Sequence, residues 1–276
     1  MKKVKVVCLL AVVAVGALLL SAVTVRAMTR VPPLPYDCRA AEENADPQTK
    51  VGLYTRCLEY GEFYAEYQRN EIYFHRANVL FELRRYDEAL ADYDRFIQAT
   101  GGHVWALHQR GLTHQALGQR KSALADFDKA LESNSDATAV LFDRGQLLAD
   151  MGQYETALKD LRRAEKLAAE YYPTNSSAAN ALAWLLATCP DPKIRDGREA
   201  ARLALKAVSI DRNAENLDTL AAAQARKGDF KSAVETQQAA LDLLQKDEAV
   251  QTTIEEFIAR LGLYKKGKPY NQRRSE

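Results

Sequence analysis

The fold is decided by a short pattern that occurs three times: Tyr86-Asp87-Glu88-Ala89-Leu90, Arg120-Lys121-Ser122-Ala123-Leu124 and Tyr154-Glu155-Thr156-Ala157-Leu158. The alanines of these stretches are 34 residues apart. An apolar or aromatic residue follows each alanine four positions later, and Phe or Ala follows seven positions later, which places them on one helical face. A repeat of this length predicts stacked helical hairpins, because one hairpin cannot bury its own apolar face.

Glycines recur at two further positions of the pattern. Gly111 and Gly145 lie twelve residues before the alanines of the second and third copies. We predict that they allow the two helices of a hairpin to approach closely. Gly118 and Gly152 are predicted to end the first helix of each hairpin in a left-handed turn.

These positions resemble the tetratricopeptide repeat (TPR) family. The resemblance implies an all-α fold, a right-handed α-solenoid of TPR-like helix hairpins with a C-terminal capping helix. The segment 181–191 also looks like one that recurs in bacterial exported repeat proteins. The predicted segments are a divergent N-terminal hairpin at 28–69, three repeats at 70–171, a linker at 172–177, two looser repeats at 178–247, a cap at 248–264 and a basic tail at 265–276.

Composition excludes some classes of function. The chain has 276 residues, of which 47% are hydrophobic, so it can bury a core. Its 38 Lys and Arg residues are matched by 37 Asp and Glu residues. This balance disfavours a nucleic-acid partner, which requires a basic surface.

The N-terminal segment 1–27 predicts export. Lys2, Lys3 and Lys5 precede an apolar run at 6–25, which fits a cleaved signal peptide but is also long enough for a membrane anchor. Both alternatives place the rest of the chain outside the cytoplasm, in the periplasm or anchored to the inner membrane. Membrane contact is expected only through 6–25, if this run is retained.

Three cysteines follow this segment. In an oxidising compartment we expect a disulfide between Cys38 and Cys57, on two short helices separated by a breaker stretch at 44–47. The alternative is two small buried side chains. Cys189 is left without a partner, and we expect it to be buried.

A search for catalytic motifs finds no phosphate loop, no nucleophile elbow and no zinc-binding His pair. We therefore predict no catalysis, no metal and no cofactor. Asp92 with Asp94 and Asp126 with Asp128 recur at the repeat spacing, and we expect all four to lie on a solvated helix face. The alternative is an enzyme or enzyme subunit that uses Cys189 in the loop 188–197.

The family resemblance implies a concave groove lined by the first helix of each hairpin, which accepts a protein or peptide. Aromatic residues in it would be binding anchors, or would pack between repeats instead. A clamp for an acidic C-terminal peptide needs Lys or Arg where this chain has Phe74 and Ala139, so such a ligand is not supported. The groove residues carried over are Phe74, Asn78, Phe81, Trp105, His108, Gln109, Leu112, Phe142, Asp143 and Gln146.

The function predicted from these observations is a non-catalytic interaction scaffold or adaptor outside the cytoplasm. A membrane-tethered assembly factor is the alternative in which 1–27 is kept. The basic tail at 265–276 is expected to be solvated, or to contact an acidic partner or anionic lipid.

Overall fold

The structure, a computed structural model, describes residues 36–60, 66–244 and 251–272. Across these ranges it has thirteen α-helices and no strand, which confirms the all-α class. The predicted signal peptide or anchor at 1–27 and the end of the tail at 273–276 lie outside the described residues. None of the helices in the described ranges is long and apolar enough to cross a membrane. The helices are α1 (Tyr36–Glu43), α2 (Pro47–Tyr60), α3 (Glu66–Glu82), α4 (Tyr86–Thr100), α5 (Val104–Ala116), α6 (Arg120–Ser133), α7 (Thr138–Asp150), α8 (Tyr154–Tyr171), α9 (Ser177–Thr188), α10 (Gly197–Ile210), α11 (Ala214–Arg226), α12 (Phe230–Leu244) and α13 (Gln251–Lys265).

The chain forms two compact units, one up to Phe96 and one from Ile97 onward. The first unit contains the hairpin of α1 and α2, followed by α3 and most of α4. In the second unit the hairpins are α5 with α6, α7 with α8, α9 with α10 and α11 with α12, and α13 packs against α12. The first helices α7, α9 and α11 contact one another in sequence, as expected for stacked hairpins.

The repeated glycines have the predicted roles. A Cβ atom added at Gly111 would lie 2.5 Å from Cε1 of Phe127, and one added at Gly145 would lie 2.8 Å from Cγ of Leu161. Any larger residue would therefore force the two helices of the hairpin apart. Gly118 and Gly152 have φ angles of 73° and 76°, in the left-handed region that glycine adopts without steric cost.

A buried ion pair joins the two helices of each of the three clear repeats. Nε of Arg76 donates to Asp92 over 2.7 Å, Nε of Arg110 to Asp126 over 2.8 Å and Nε of Arg144 to Asp160 over 2.7 Å. Each arginine lies on a first helix and each aspartate on the following second helix.

This arrangement corrects the prediction of a solvated face for the repeated aspartates. Asp92 is 2% exposed and Asp126 is 5% exposed, whereas Asp94 and Asp128 are exposed as predicted. The prediction was wrong for the first aspartate of each pair because an arginine on the facing helix compensates its buried charge.

The loop between α9 and α10 is ordered by short-range bonds. The backbone N–H of Asp196 donates to the carbonyl of Leu186 over 3.0 Å, and the Asp196 carboxylate accepts from the first backbone N–H groups of α10. Gly197 lies against the end of α11, where an added Cβ would be 2.9 Å from Cγ of Arg226. Cys189 and Ile194 are buried beneath this loop, as expected for Cys189.

The described part of the C-terminal tail docks on the fourth repeat. Arg226 donates to the carbonyl oxygen of Tyr270 over 2.7 Å, and the backbone N–H of Gln272 donates to the carbonyl of Thr188 over 2.8 Å. The Tyr270 ring lies 5.9 Å from the Trp184 ring. The prediction of a solvated tail is therefore wrong as far as Gln272, because these contacts arise only once α9 and α11 are folded together.

The first hairpin brings its two cysteines together. Cys38 on α1 and Cys57 on α2 are buried, with Cα atoms 5.3 Å apart and their sulfur atoms at bonding distance. This separation lies within the range of protein disulfides. Asp46, between the helices, accepts the backbone N–H of Thr49 over 2.8 Å and so starts α2.

Candidate partner-binding groove

In the first unit, three predicted groove residues on α3 contact their own hairpin partner. The Phe74 ring lies 5.0 Å from the Phe96 ring, and Oδ1 of Asn78 accepts a 2.7 Å hydrogen bond from the Tyr93 hydroxyl. The Phe81 ring lies 5.6 Å from the Tyr86 ring. These contacts favour the alternative interpretation, that these residues pack within the repeat, although each remains half-buried.

In the second unit, the structure brings His108 and Asp143 into contact. Nε2 of His108 lies 2.6 Å from Oδ2 of Asp143, which links the first helices of the second and third repeats. The imidazole is buried, so this pair holds two hairpins together and offers a ligand little surface. Gln109 and Leu112 are half-buried and line neither of the clefts described below.

The first cleft of the second unit is named here the aromatic cleft. It has a volume of 760 Å³ and lies at the N-terminal ends of α5, α7 and α9. Trp105 is 53% exposed on its rim, opposite Tyr172, which is 57% exposed. Its apolar lining comes from Val104, Trp105, Ala139, Phe142, Ala168, Tyr172 and Ala178.

The second cleft, named here the acidic cleft, has a volume of 520 Å³. Its walls come from α7, α9 and α11, the first helices of three successive hairpins, and from α13. Phe142 and Ser177 line both clefts, so the clefts adjoin. The side chains that shape the acidic cleft include Phe142, Gln146, Asp150, Asn180, Trp184, Asp211, Glu215, Asn216, Asp218, Glu256, Phe257 and Arg260.

Arg260 forms one wall of the acidic cleft. Its Nε donates to Oδ1 of Asp218 over 2.8 Å, and the same oxygen accepts from Gln237 over 2.7 Å. The guanidinium carbon lies 5.4 Å from the centre of the Trp184 ring and 4.8 Å from that of Phe257. Carboxylate and aromatic groups together stabilise this buried cation.

The remaining carboxylates of the acidic cleft are exposed at its surface. Oδ2 of Asp211 accepts from Asn213 over 2.6 Å, and Glu256 lies 3.4 Å from the Arg260 guanidinium. Burial raises the pKa of the Asp150 carboxyl, against the opposing effect of Arg120. Oδ1 of Asn180 is buried beside these carboxylates and has no hydrogen-bond partner in the described residues.

Sequence reasoning found Trp105, Phe142 and Gln146 at the clefts but missed the contribution of the later hairpins. Asn180 lies 34 residues after Gln146, so extending the repeat spacing could have identified it. Trp184 and Arg260 carry no such signal, because the long loop and the capping helix interrupt the period.

A catalytic centre requires groups that these clefts do not bring together. Within the described ranges, no three His, Cys, Asp or Glu side chains are placed to hold a metal ion. Cys189 is fully buried, and burial raises the pKa of its thiol, which opposes formation of the nucleophilic thiolate.

A model of the tetratricopeptide repeat family matches residues 71–101, 106–136 and 138–171. These matches cover the three hairpins with the repeated glycines and ion pairs. The chain carries tetratricopeptide repeats. A search of curated protein sequences finds no match to the chain.

Solved TPR structures share the fold. MamA from Desulfovibrio magneticus RS-1 is 21% identical, with a TM-score of 0.55 over 65% of this chain and 97% of that protein. YrrB, described as a TPR protein with an unusual peptide-binding site, is 21% identical, with a TM-score of 0.53 over 74% of this chain and 97% of YrrB. Yeast Tom70 is 18% identical, with a TM-score of 0.58 over 83% of this chain and 46% of Tom70.

Proposed function

We propose that this TPR protein is a non-catalytic interaction scaffold that binds a protein or peptide in the groove formed by its first helices. The observation that supports this proposal is the pair of adjoining clefts on either side of Phe142. A concave site with a few fixed aromatic side chains is suited to ligand binding, and exposed tryptophan is typical of binding hot spots.

The comparison with YrrB is consistent with this proposal. That TPR protein is described as having a peptide-binding site. A peptide or an extended segment of a protein is the ligand that we propose for this chain as well, bound without a cofactor.

The location that we propose is outside the cytoplasm. The support comes from the sequence at 1–27, where lysines precede a long apolar run. N-terminal sequencing of the mature protein tests whether this segment is removed or kept as an anchor. Activity of alkaline phosphatase fused after Gln272 tests the location itself, and an inactive fusion in exporting cells would contradict it.

Affinity capture from extracytoplasmic extract tests the groove. Trp105→Ala removes the most exposed aromatic ring of the aromatic cleft, and we expect it to lose the partner that the unmodified chain retains. Leu205→Ala is the matched control, because Leu205 is 56% exposed on the second helix α10 and lines neither cleft. Circular dichroism verifies that both variants stay helical.

The control makes the result specific. If the same proteins bind to the Trp105→Ala and Leu205→Ala variants with equal yield, the groove is not the binding surface. If the Cys189 thiol instead reacts with a substrate analogue in the folded chain, the enzyme hypothesis replaces the scaffold.

A further inference from the structure

The groove of the second unit has a charge that the chain as a whole does not have. The full sequence has a formal net charge of +1. Six carboxylates line the two clefts, whereas Arg260 is the one Lys or Arg side chain that lines them. Because overall composition is balanced, this imbalance is a property of how the helices are arranged.

The single arginine does not neutralise the surface of the groove. Arg260 is 6% exposed and its charge is engaged by the buried Asp218. Asp150, Asp211, Glu215 and Glu256 remain at the surface of the acidic cleft. A ligand that enters this cleft therefore meets an excess of negative charge.

Arg260 also shows what kind of group this environment accommodates. Its guanidinium is held between a carboxylate and the rings of Trp184 and Phe257, inside the same cleft. Aromatic faces next to carboxylates attract cations, and arginine in particular. The same combination, exposed carboxylates beside the aromatic ring of Phe142, is available to a ligand along the rest of the groove.

We infer that the groove selects an extended partner segment that carries Lys or Arg for the acidic cleft and an apolar side chain for the adjoining aromatic cleft. This inference rests on the proposed scaffold function and adds the chemistry of its partner. Electrostatic complementarity of this kind mainly sets specificity and association rate, so binding should weaken as salt increases.

Selection from a randomised displayed-peptide library on the full chain tests the inference. We expect the selected peptides to be enriched in Lys and Arg beside an apolar residue. The affinity of a selected peptide, labelled with fluorescein and measured by anisotropy, should fall about tenfold when salt rises from 50 to roughly 500 mM.

A charge variant with a matched control locates the effect. Glu215→Gln combined with Glu256→Gln removes two surface carboxylates of the acidic cleft and should weaken the peptide about fivefold. Glu235→Gln removes one exposed carboxylate from the second helix α12, outside both clefts, and should leave the affinity unchanged.

The two tryptophans of the chain report which cleft is filled, because Trp105 lines the aromatic cleft and Trp184 the acidic cleft. In a Trp105→Phe variant, fluorescence comes from Trp184 alone and should shift when a basic peptide binds. An unchanged Trp184 spectrum at saturating peptide would contradict binding in the acidic cleft.

Failure of this inference is separable from failure of the proposed function. Selected peptides that are acidic or uncharged, but are lost with Trp105→Ala, overturn the charge preference and leave the groove as the binding site. Absence of any enriched peptide overturns the inference, while captured proteins that still depend on Trp105 keep the scaffold. Loss of both results overturns both.

Discussion

Arg84 occupies the position at which the next two repeats have Gly118 and Gly152. Its φ angle is 58°, a left-handed conformation that is unfavourable for a residue with a Cβ atom. The backbone therefore keeps the turn of the repeat even where the sequence lacks the residue suited to it. Tertiary packing of the first full hairpin compensates this local cost.

We expect Arg84→Gly to stabilise the protein by about 0.5–1 kcal/mol, because the left-handed strain outweighs the added flexibility of the unfolded chain. The free energy of unfolding in urea measures this change. Gly118→Arg, which introduces the same residue at the matching turn, should destabilise by a similar amount. A loss of stability in Arg84→Gly would show that the arginine side chain makes contacts worth more than the strain.

Cys189 is predicted to resist alkylation in the folded chain, because it is fully buried and burial raises the pKa of its thiol. The unfolded chain loses this proton first, so stability should fall as pH rises above about 8.5. Iodoacetamide labelling with mass spectrometry, with and without urea, measures reactivity. Rapid labelling without urea would support the enzyme hypothesis.

At the scale of the helices, the repeated Arg–Asp pairs join the two helices of each hairpin. Arg144 bonds to Asp160 and also reaches Asp128 of the preceding repeat over 2.7 Å. The hydrogen bond to Asp160 raises the pKa of Arg144 more than burial lowers it, so the guanidinium stays charged. The pair therefore connects α7 to α8 and also to α6.

Arg144→Ala is expected to destabilise the chain by about 3 kcal/mol, because it leaves the buried carboxylate of Asp160 without a partner. Arg144→Met combined with Asp160→Leu should lose less, since no uncompensated buried charge remains. Urea unfolding of the single and double variants measures this difference. Equal losses in both would show that packing, and not the unpaired charge, determines the effect.

At the scale of the second unit, the largest contribution to burial comes from the fourth and fifth repeats. One cluster of buried side chains includes Leu182, Leu186, Ala204 and Ala221, and it reaches Tyr264 on α13. The many alanines let α9, α10 and α11 approach closely, and the docked tail covers the end of α9. This region also forms most of the acidic cleft.

We expect the slowest amide hydrogen exchange in α9, α10 and α11, because stability in repeat proteins follows local burial. The ends of the described ranges, α1 and α13, should exchange faster. Hydrogen exchange followed by mass spectrometry measures both. Slowest exchange in α5 and α6 would contradict this ranking.

The sequence by itself determined the all-α class, the register of the three clear repeats and the glycines at their turns and close contacts. These features depend on spacing along the chain, and a period of 34 residues is visible in Ala89, Ala123 and Ala157. The aromatic anchors Trp105 and Phe142 were also found, since the family pattern places them on the first helices.

Only the tertiary structure decided which aspartates are buried, because a neighbour of a buried aromatic residue faces solvent or another helix depending on what packs there. Asp92 and Asp94 are indistinguishable until Arg76 is placed opposite one of them. The acidic cleft likewise joins Asp150, Glu215 and Glu256, which lie far apart in the sequence and meet only when successive hairpins stack. Spacing encodes the scaffold, whereas the charge of its groove is a sum over distant residues that only the fold brings together.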